Sequence, residues 1–437
     1  MYVVLGEGGV PVARVVTSAQ SCPNIRIDGT DFLMTARARA EALPLRPTRS
    51  AVEDSKPSVF PMLTCEKFIP PRSAKVSVDG RELPMPPATI NRIVVIGDTG
   101  CRIKHADNAA QPCNDINQYP FAAVASAAAK WHPDLVVHVG DYLYRENACP
   151  TGNAGCAGSP WGYGWDAWNA DFFKPAEPLL RAAPWVMVRG NHESCARGGQ
   201  GWWRLIDPRP LLPGRDCVLP ANDENGDYGD PYAVPLGNSA QLIVLDSSNT
   251  QNGPIKPGDI RSIKYADMYR KMDILSQQAN YNIGVNHHPI LGFAAKEKEA
   301  GKVTLLPGNS GLQSVFGSIN PLLLPPRMNA MLSGHVHVWE EVSFSSPHPT
   351  QFIAGFSGTA EDTVPLPAEL PAGETPAPGA IVDHFSSWVN GFGYMTMERR
   401  GADQWDVKIW NTAGKQVNAC HIVGKNSVCD AAQVTSK

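Results

Sequence analysis

Five short apolar runs, most of them rich in β-branched residues, each stop at a glycine or asparagine followed by polar side chains. They are RIVVIGDTG (residues 92–100), DLVVHVGDYLY (134–144), WVMVRGNHE (185–193), NIGVNHHP (282–289) and MNAMLSGHVH (328–337). Runs of this length and composition read as buried strands that end in tight turns. The Ala-rich stretch YPFAAVASAAAKW (residues 119–131) lies between the first two and reads as a helix. A strand, helix, strand unit implies parallel pairing under helical cover. AQLIVLDSS and QFIAGFSGT supply further strands, so the expected fold is α/β, with layered sheets.

The flanks have a different character. Residues 1–88 alternate apolar runs (YVVL, VARVV, AKVSV) with Gly, Pro and Asp turns, which predicts a small β-rich N-terminal domain, with LPMPPATIN as a linker. Residues 89–437 then form the second unit. Its insertions, TGNAGCAGSPWGYGWDAW and the Pro-rich TVPLPAELPAGETPAPGA, read as rim loops. Trp161, Trp165 and Trp168 offer a stacking surface for a substrate, but such a cluster more often packs as the loop's own core. FGYMTMERRGADQWDVKIWN alternates like a strand pair and is expected to close the sheet.

A net charge of -4 with 18% charged residues provides no basic field, which argues against a nucleic-acid partner. No apolar run approaches the roughly 18 residues needed to span a bilayer, and the opening residues lack a basic segment followed by an apolar one. A soluble chain without a membrane partner is expected, numbered from a mature or trimmed start. The ten cysteines fall as neighbours along the chain: Cys22 with Cys65, Cys101 with Cys113, Cys149 with Cys156, Cys195 with Cys217, and Cys420 with Cys429. An even count of this kind predicts local disulfides and an oxidising compartment, periplasmic or secreted.

The strand ends carry the chemistry. Taken alone, RGNHESCAR is ordinary turn material, in which Asn191 closes the turn, His192 bonds a carbonyl and Glu193 starts a helix. Loops at the carboxyl ends of strands in layered α/β folds converge on one crevice, however. Asp98, Asp141, Tyr144, Asn191, His192, the pair His287 and His288, His335 and His337 therefore have a common meeting place. His335 and His337 share one side of an extended segment. Carboxylates, an amide and imidazoles together suit two cations that share a carboxylate, with Asp141 as the natural bridge. His138 reads as a buried strand histidine. NDENGDYGD lacks the spacing of a calcium loop and reads as a solvated hairpin.

In this order, GDTG, GDYLY, GNHE, VNHHP and GHVH resemble the five blocks of the purple acid phosphatases within the calcineurin-like metallophosphoesterase superfamily, over roughly Ile93 to Val338. The resemblance implies a four-layer α/β/β/α sandwich and a binuclear phosphatase that hydrolyses small phosphate monoesters by attack of a metal-bound hydroxide. Carried over, Asp98, Asp141, Tyr144 and His337 hold one metal, and Asp141, Asn191, His287 and His335 hold the other. His287 fits His-x-Pro, with His288 as the alternative. A phenolate calls for a strong Lewis acid, hence Fe(III) beside Tyr144 and a divalent Fe, Zn or Mn beside it. His192 would protonate the leaving oxygen or stabilise charge, and Glu193 would anchor the turn. Plant-type members carry further histidines after the fourth block, and ILGFAAKEKEA has none. A phosphodiesterase on the same metals is therefore the nearest rival, and a binding protein with a vestigial site the other.

Overall fold

The computed structural model describes residues 1–46, 52–299, 302–360 and 364–434. The strands of its two large sheets begin with β1 (Tyr2–Leu5), β2 (Pro11–Thr17), β3 (Thr35–Ala38), β4 (Leu63–Phe68), β5 (Arg92–Ile96), β6 (Leu135–His138) and β7 (Trp185–Met187). There follow β8 (Tyr232–Gly237), β9 (Ala240–Val244), β10 (Tyr281–Val285), β11 (Met328–Ser333), β12 (Trp339–Phe344), β13 (Thr350–Ala354) and β14 (Val382–Trp388). Last come β15 (Gly393–Arg399), β16 (Gln404–Asn411), β17 (Gln416–Val423) and β18 (Asn426–Cys429). One sheet has the order β18-β17-β16-β15-β5-β6-β7-β1-β2-β4-β3, and the other β8-β9-β10-β11-β13-β12-β14.

Each sheet has a parallel centre. In the first, β6 lies between β5 and β7, with His138 opposite both Ile96 and Met187. In the second, β9, β10, β11 and β13 run parallel. Parallel strands connected by crossovers bury both faces, and the side chains divide accordingly. Ile93, Val95, Val137 and Val186 meet Leu242, Ile283, Val285 and Leu332 in the core between the sheets. Val94, Ile96 and Val136 face outward under helix α1 (Phe121–Lys130) and helix α2 (Glu177–Ala182). Helix α1 buries Phe121, Val124, Ala125 and Ala128, the one-face spacing of a 3.6-residue repeat.

On the far side, α3 (Ile260–Ser276) and α4 (Ser310–Gly317) cover Ile243, Met331 and Ile353. Asp259 and Asn309 cap them by accepting from the amides of Arg261 and Leu312. The result is the four-layer α/β/β/α sandwich expected. FGYMTMERR and DQWDVKIWN pair as β15 and β16, closing the first sheet against β5.

Sheet pairing crosses the expected boundary at residue 88. β1 pairs parallel with β7 through Val4 and Trp185, and β2, β4 and β3 extend the same sheet. Arg14 donates to the carbonyls of Leu205 and Asp207 at 2.7 and 2.6 Å, which fixes this segment to the chain beyond β7. Asn24–Ile27, Thr30–Leu33, Val76–Val78 and Arg81–Glu82 form a separate four-stranded sheet, and Glu41–Ala42 pairs with Val59–Phe60. An alternating apolar pattern shows which face of a strand is buried but not which strand it pairs with. The division at residue 88 is thus a proposal about chain units, tested below.

All ten cysteines pair as the sequence suggests. Cys420–Cys429 joins the neighbouring strands β17 and β18 rather than closing a loop. Trp168 is fully buried and Trp165 packs on Phe173, so the Trp-rich insertion forms core. The Pro-rich insertion has no strand or helix in its described part, and its first residue, Thr363, lies outside the described residues. NDENGDYGD is not a hairpin. It holds the short helix Asp223–Gly226, and Asp227 turns inward to accept from the Cys195 amide. Among the described residues no helix is long and apolar enough to cross a membrane.

Candidate metal centre

The side chains singled out in the sequence follow the ends of parallel strands: Asp98 after β5, Asp141 and Tyr144 after β6, Asn191 after β7, His287 after β10, and His335 and His337 after β11. Both sheets therefore supply the site at one end of the sandwich. Three of these residues, Asp98 (φ 52°), Asp141 (φ 60°) and His335 (φ 70°), have left-handed backbones. That conformation turns each chain sharply off its strand and costs of order 1 kcal/mol or more for a non-glycine residue. Glycines permit the close approach. A Cβ on Gly140, itself at φ +102°, would lie 2.6 Å from His287 Nδ1, and one on Gly190 would lie 2.8 Å from Asp141 Cγ.

The side chains meet in two sets. Tyr144 Oη lies 2.8 Å from Asp98 Oδ1, 2.8 Å from Asp141 Oδ2 and 2.9 Å from His337 Nε2. His287 Nε2 lies 3.0 Å from the same Asp141 Oδ2 and 3.1 Å from Asn191 Oδ1, and His335 Nδ1 is 3.0 Å from Asn191 Oδ1. One carboxylate oxygen thus belongs to both sets. His287 makes the contact with Asp141; its neighbour His288 bonds Ser247 Oγ at 3.1 Å and packs on the His335 ring. Asn191 and His335 are partly exposed while the others are buried, so the site opens on that side.

The electrostatics call for positive charge. Burial, and then the carboxylates of Asp141 and Asp98, push the Tyr144 hydroxyl well above its ordinary range. Burial opposes charge on His287, yet Asp141 raises it to about 9. A phenol has one hydrogen to share among three acceptors here. Two carboxylates, a phenol, an amide oxygen and three imidazoles, all but Asn191 and His335 buried and crowded at hydrogen-bond distance, form a donor set that fits two cations. A second cluster, Glu341, His384 and Cys429, offers no thiolate because Cys429 is bonded to Cys420.

Other buried groups hold the site in shape. Glu193 accepts from four backbone amides: Gly190 and Asp141 at 3.1 Å on one oxygen, and Tyr142 and Leu143 at 2.8 and 3.3 Å on the other. Burial and the Asp141 charge raise its carboxyl to about 8, and the amides work in the other direction. Arg189 donates to the Glu193 carbonyl at 2.8 Å. His138 is buried and bonds Thr99 Oγ1 at 2.9 Å.

Sequence reasoning missed two carboxylates. Asp171 receives the amides of Cys101, Tyr144 and Arg145, and the Arg145 guanidinium at 2.6 Å. Glu146 pairs with Arg197 and lies 2.9 Å from His192 Nδ1. Glu146 stands just after the GDYLY block, but Asp171, 27 residues beyond Tyr144, lies in no motif.

His192 follows Asn191, its amide donating to Asp141 Oδ1 at 2.8 Å. Its ring lies on Tyr144 with 3.8 Å between centroids, Nδ1 is 3.0 Å from the Leu143 carbonyl, and Nε2 is 3.8 Å from Asp141 Oδ2. Burial, and then the Arg197 guanidinium, lower its pKa against the pull of Asp141 and Glu146.

The calcineurin-like phosphoesterase profile matches residues 91–339, which contain every residue of both sets. Among solved structures, a purple acid phosphatase from yellow lupin (Lupinus luteus) seeds is similar over 99% of this chain and 74% of its own, with a TM-score of 0.56 at 13% identity. PhoD is similar over 100% of this chain and 92% of its own, with a TM-score of 0.53 at 13% identity. A search of curated proteins found no match.

Proposed function

This chain belongs to the calcineurin-like phosphoesterase family, and on that footing we propose that it is a two-metal phosphatase acting on small phosphate monoesters. The observation that carries the two-cation reading is the shared oxygen, Asp141 Oδ2, within 3.0 Å of both Tyr144 Oη and His287 Nε2. Preference for monoesters rests on the order of the five blocks and their likeness to purple acid phosphatases. Asp98, Asp141, Tyr144 and His337 would hold one cation, and Asp141, Asn191, His287 and His335 the other. Bound cations supply Lewis acidity, which offsets phosphoryl charge and makes water a competent nucleophile. The phenol donor of Tyr144 favours Fe(III) at the first position, with divalent Fe, Zn or Mn at the second.

The chain's own residues do the remaining work. Glu193 and the four amides fix the turn that presents Asp141, Asn191 and His192 together. Nδ1 of His192 is engaged by Leu143 and Glu146, and Nε2, 2.7 Å from Arg197 Nη2, lies 3.8 Å from Asp141 Oδ2. Its proposed task is to hydrogen-bond the leaving oxygen or the charge that develops in the transition state. The five disulfides support export to the periplasm or the medium, and the net charge of -4 supports a small-molecule substrate rather than nucleic acid.

Metal analysis of purified protein, with hydrolysis rates on aryl phosphate monoesters and diesters, tests the proposal. Two metals per chain and a higher kcat/KM on monoesters are expected. The absence of histidine between His288 and His335 favours a second reading, a diesterase on the same centre, which the opposite substrate ratio would establish. Two missing metals and no esterase activity would leave a binding protein.

A further inference from the structure

Gln111 lies outside every motif, between Cys101 and Cys113, and only 5% of its surface is exposed. Its side-chain amide is fully used. Nε2 donates to the carbonyls of Gln118 at 2.7 Å and Gly358 at 2.9 Å, and Oε1 accepts from the amides of Arg102 at 2.8 Å and Ala360 at 3.0 Å. An amide has two donor hydrogens and two acceptor lone pairs, and all four are matched to backbone. The segments it joins both reach the metal centre. Residues 97–102 carry Asp98, and Gly358–Ala360 runs alongside them, with the Thr359 amide donating to the Asp98 carbonyl at 2.9 Å and Thr359 Oγ1 to the Gly100 carbonyl at 2.7 Å.

The Ala360 carbonyl lies 2.8 Å from His337 Nδ1. A carbonyl only accepts, so Nδ1 carries the ring proton and the lone pair of Nε2 is turned toward Tyr144 Oη at 2.9 Å and Asp98 Oδ1 at 3.4 Å. We infer that Gln111 is a positioning residue for metal binding: by fixing Ala360 against the Asp98 loop, it sets the tautomer and direction of His337. This rests on the two-cation reading above. Groups that orient a ligating imidazole through its second nitrogen typically change metal affinity by roughly 10 to 100-fold when removed.

The test is zinc(II) titration of the metal-depleted full chain, followed by calorimetry. Wild type should take up two ions in two resolvable steps. Gln111→Leu should weaken one step roughly 10 to 100-fold and leave the other within about twofold. In a His337→Ala background, Gln111→Leu should add nothing further, because its effect runs through that imidazole. Should the leucine variant not fold, Gln111→Ser, which leaves room for water to meet the freed backbone groups, removes the bridge between Arg102 and Ala360 and carries the same expectation. Two unchanged steps, equal weakening of both, or a full additional loss on top of His337→Ala would each overturn the inference. Fewer than two zinc ions on wild type would instead overturn the two-cation reading, and the inference with it.

Discussion

Gly190→Ala adds one methyl group against the shared carboxylate. Gly190 has φ -96° and ψ 177°, a conformation open to alanine, so backbone strain does not enter. The new Cβ would lie 2.8 Å from Asp141 Cγ and would run into Asp141 Oδ1 and the Asp141 backbone nitrogen. Carbon atoms rest at about 3.5 to 4.0 Å, so Asp141 must retreat by about 1 Å. Rotating its side chain gives no relief, because the backbone nitrogen is among the atoms met. Overpacking of this kind costs about 1 to 3 kcal/mol of stability. The kinetic cost is of similar size: a displacement of about 1 Å at a reacting centre lowers rates about 10²-fold, or about 2.7 kcal/mol. Nitrophenyl phosphate hydrolysis, metal content and thermal melting measure the three effects. Gly253→Ala is the matched control, since its Cβ would meet nothing within 4 Å. If Gly190→Ala keeps wild-type kcat/KM and both metals, the packing of the GNHE turn on Asp141 is not what shapes the centre.

Tyr144→Phe keeps the ring on His192 and removes the hydroxyl. It should abolish any visible charge-transfer band and empty the Asp98 side of the centre, and an unchanged spectrum and iron content would refute the assignment. Asn191→Ala should lower metal occupancy and activity together. His192→Ala should retain both metals and lose roughly 10² to 10⁴-fold in kcat, less for acidic leaving groups; wild-type rates would make His192 a turn residue only. Burial acts to raise the Asp207 carboxyl, but Arg209 and then Arg37 hold it at about 2. Its folded pKa is depressed, so it contributes about 2 kcal/mol above the ordinary carboxylate range, lost as pH falls from about 4 to about 2. Urea melts of wild type and Asp207→Asn should therefore converge across that window, and a constant gap would contradict this. The division at residue 88 is tested by expressing residues 89–437 alone. An independent unit would fold and bind metal, whereas the β1 to β7 pairing leads us to expect aggregation.

The sequence made the centre legible because each ligand follows a strand with a clear ending, and parallel strands deliver their ends to one place. The layers were legible for a related reason, since Ile93 to Ile96 is apolar on both faces. Gln111, Glu146 and Asp171 were not, because a buried polar group is explained by its partners, and theirs lie up to 249 residues away, as for Gln111 and Ala360. Nor could Tyr2–Leu5 announce its place beside Trp185, since strand composition is silent about pairing. NDENGDYGD misled because its acidic residues look solvated, whereas Asp227 bonds the Cys195 amide and lies 3.5 Å from Arg189.

The order in which this sheet can close follows from its connectivity. Val4 has Val12 close by in sequence but must wait for Trp185 on its other side, and Val95 has Val137 but must wait for Met395. The disulfides join cysteines only 7 to 43 positions apart. Joining Val4 to Trp185 costs about 2 kcal/mol more in chain entropy than closing a loop of a dozen residues. Contact order of this kind slows folding and leaves the β7 edge open to other chains in the interval. Oxidation can thus run ahead of assembly, and the long-range pairings of β1 with β7 and β5 with β15 are expected to be the slow steps in accumulating active protein.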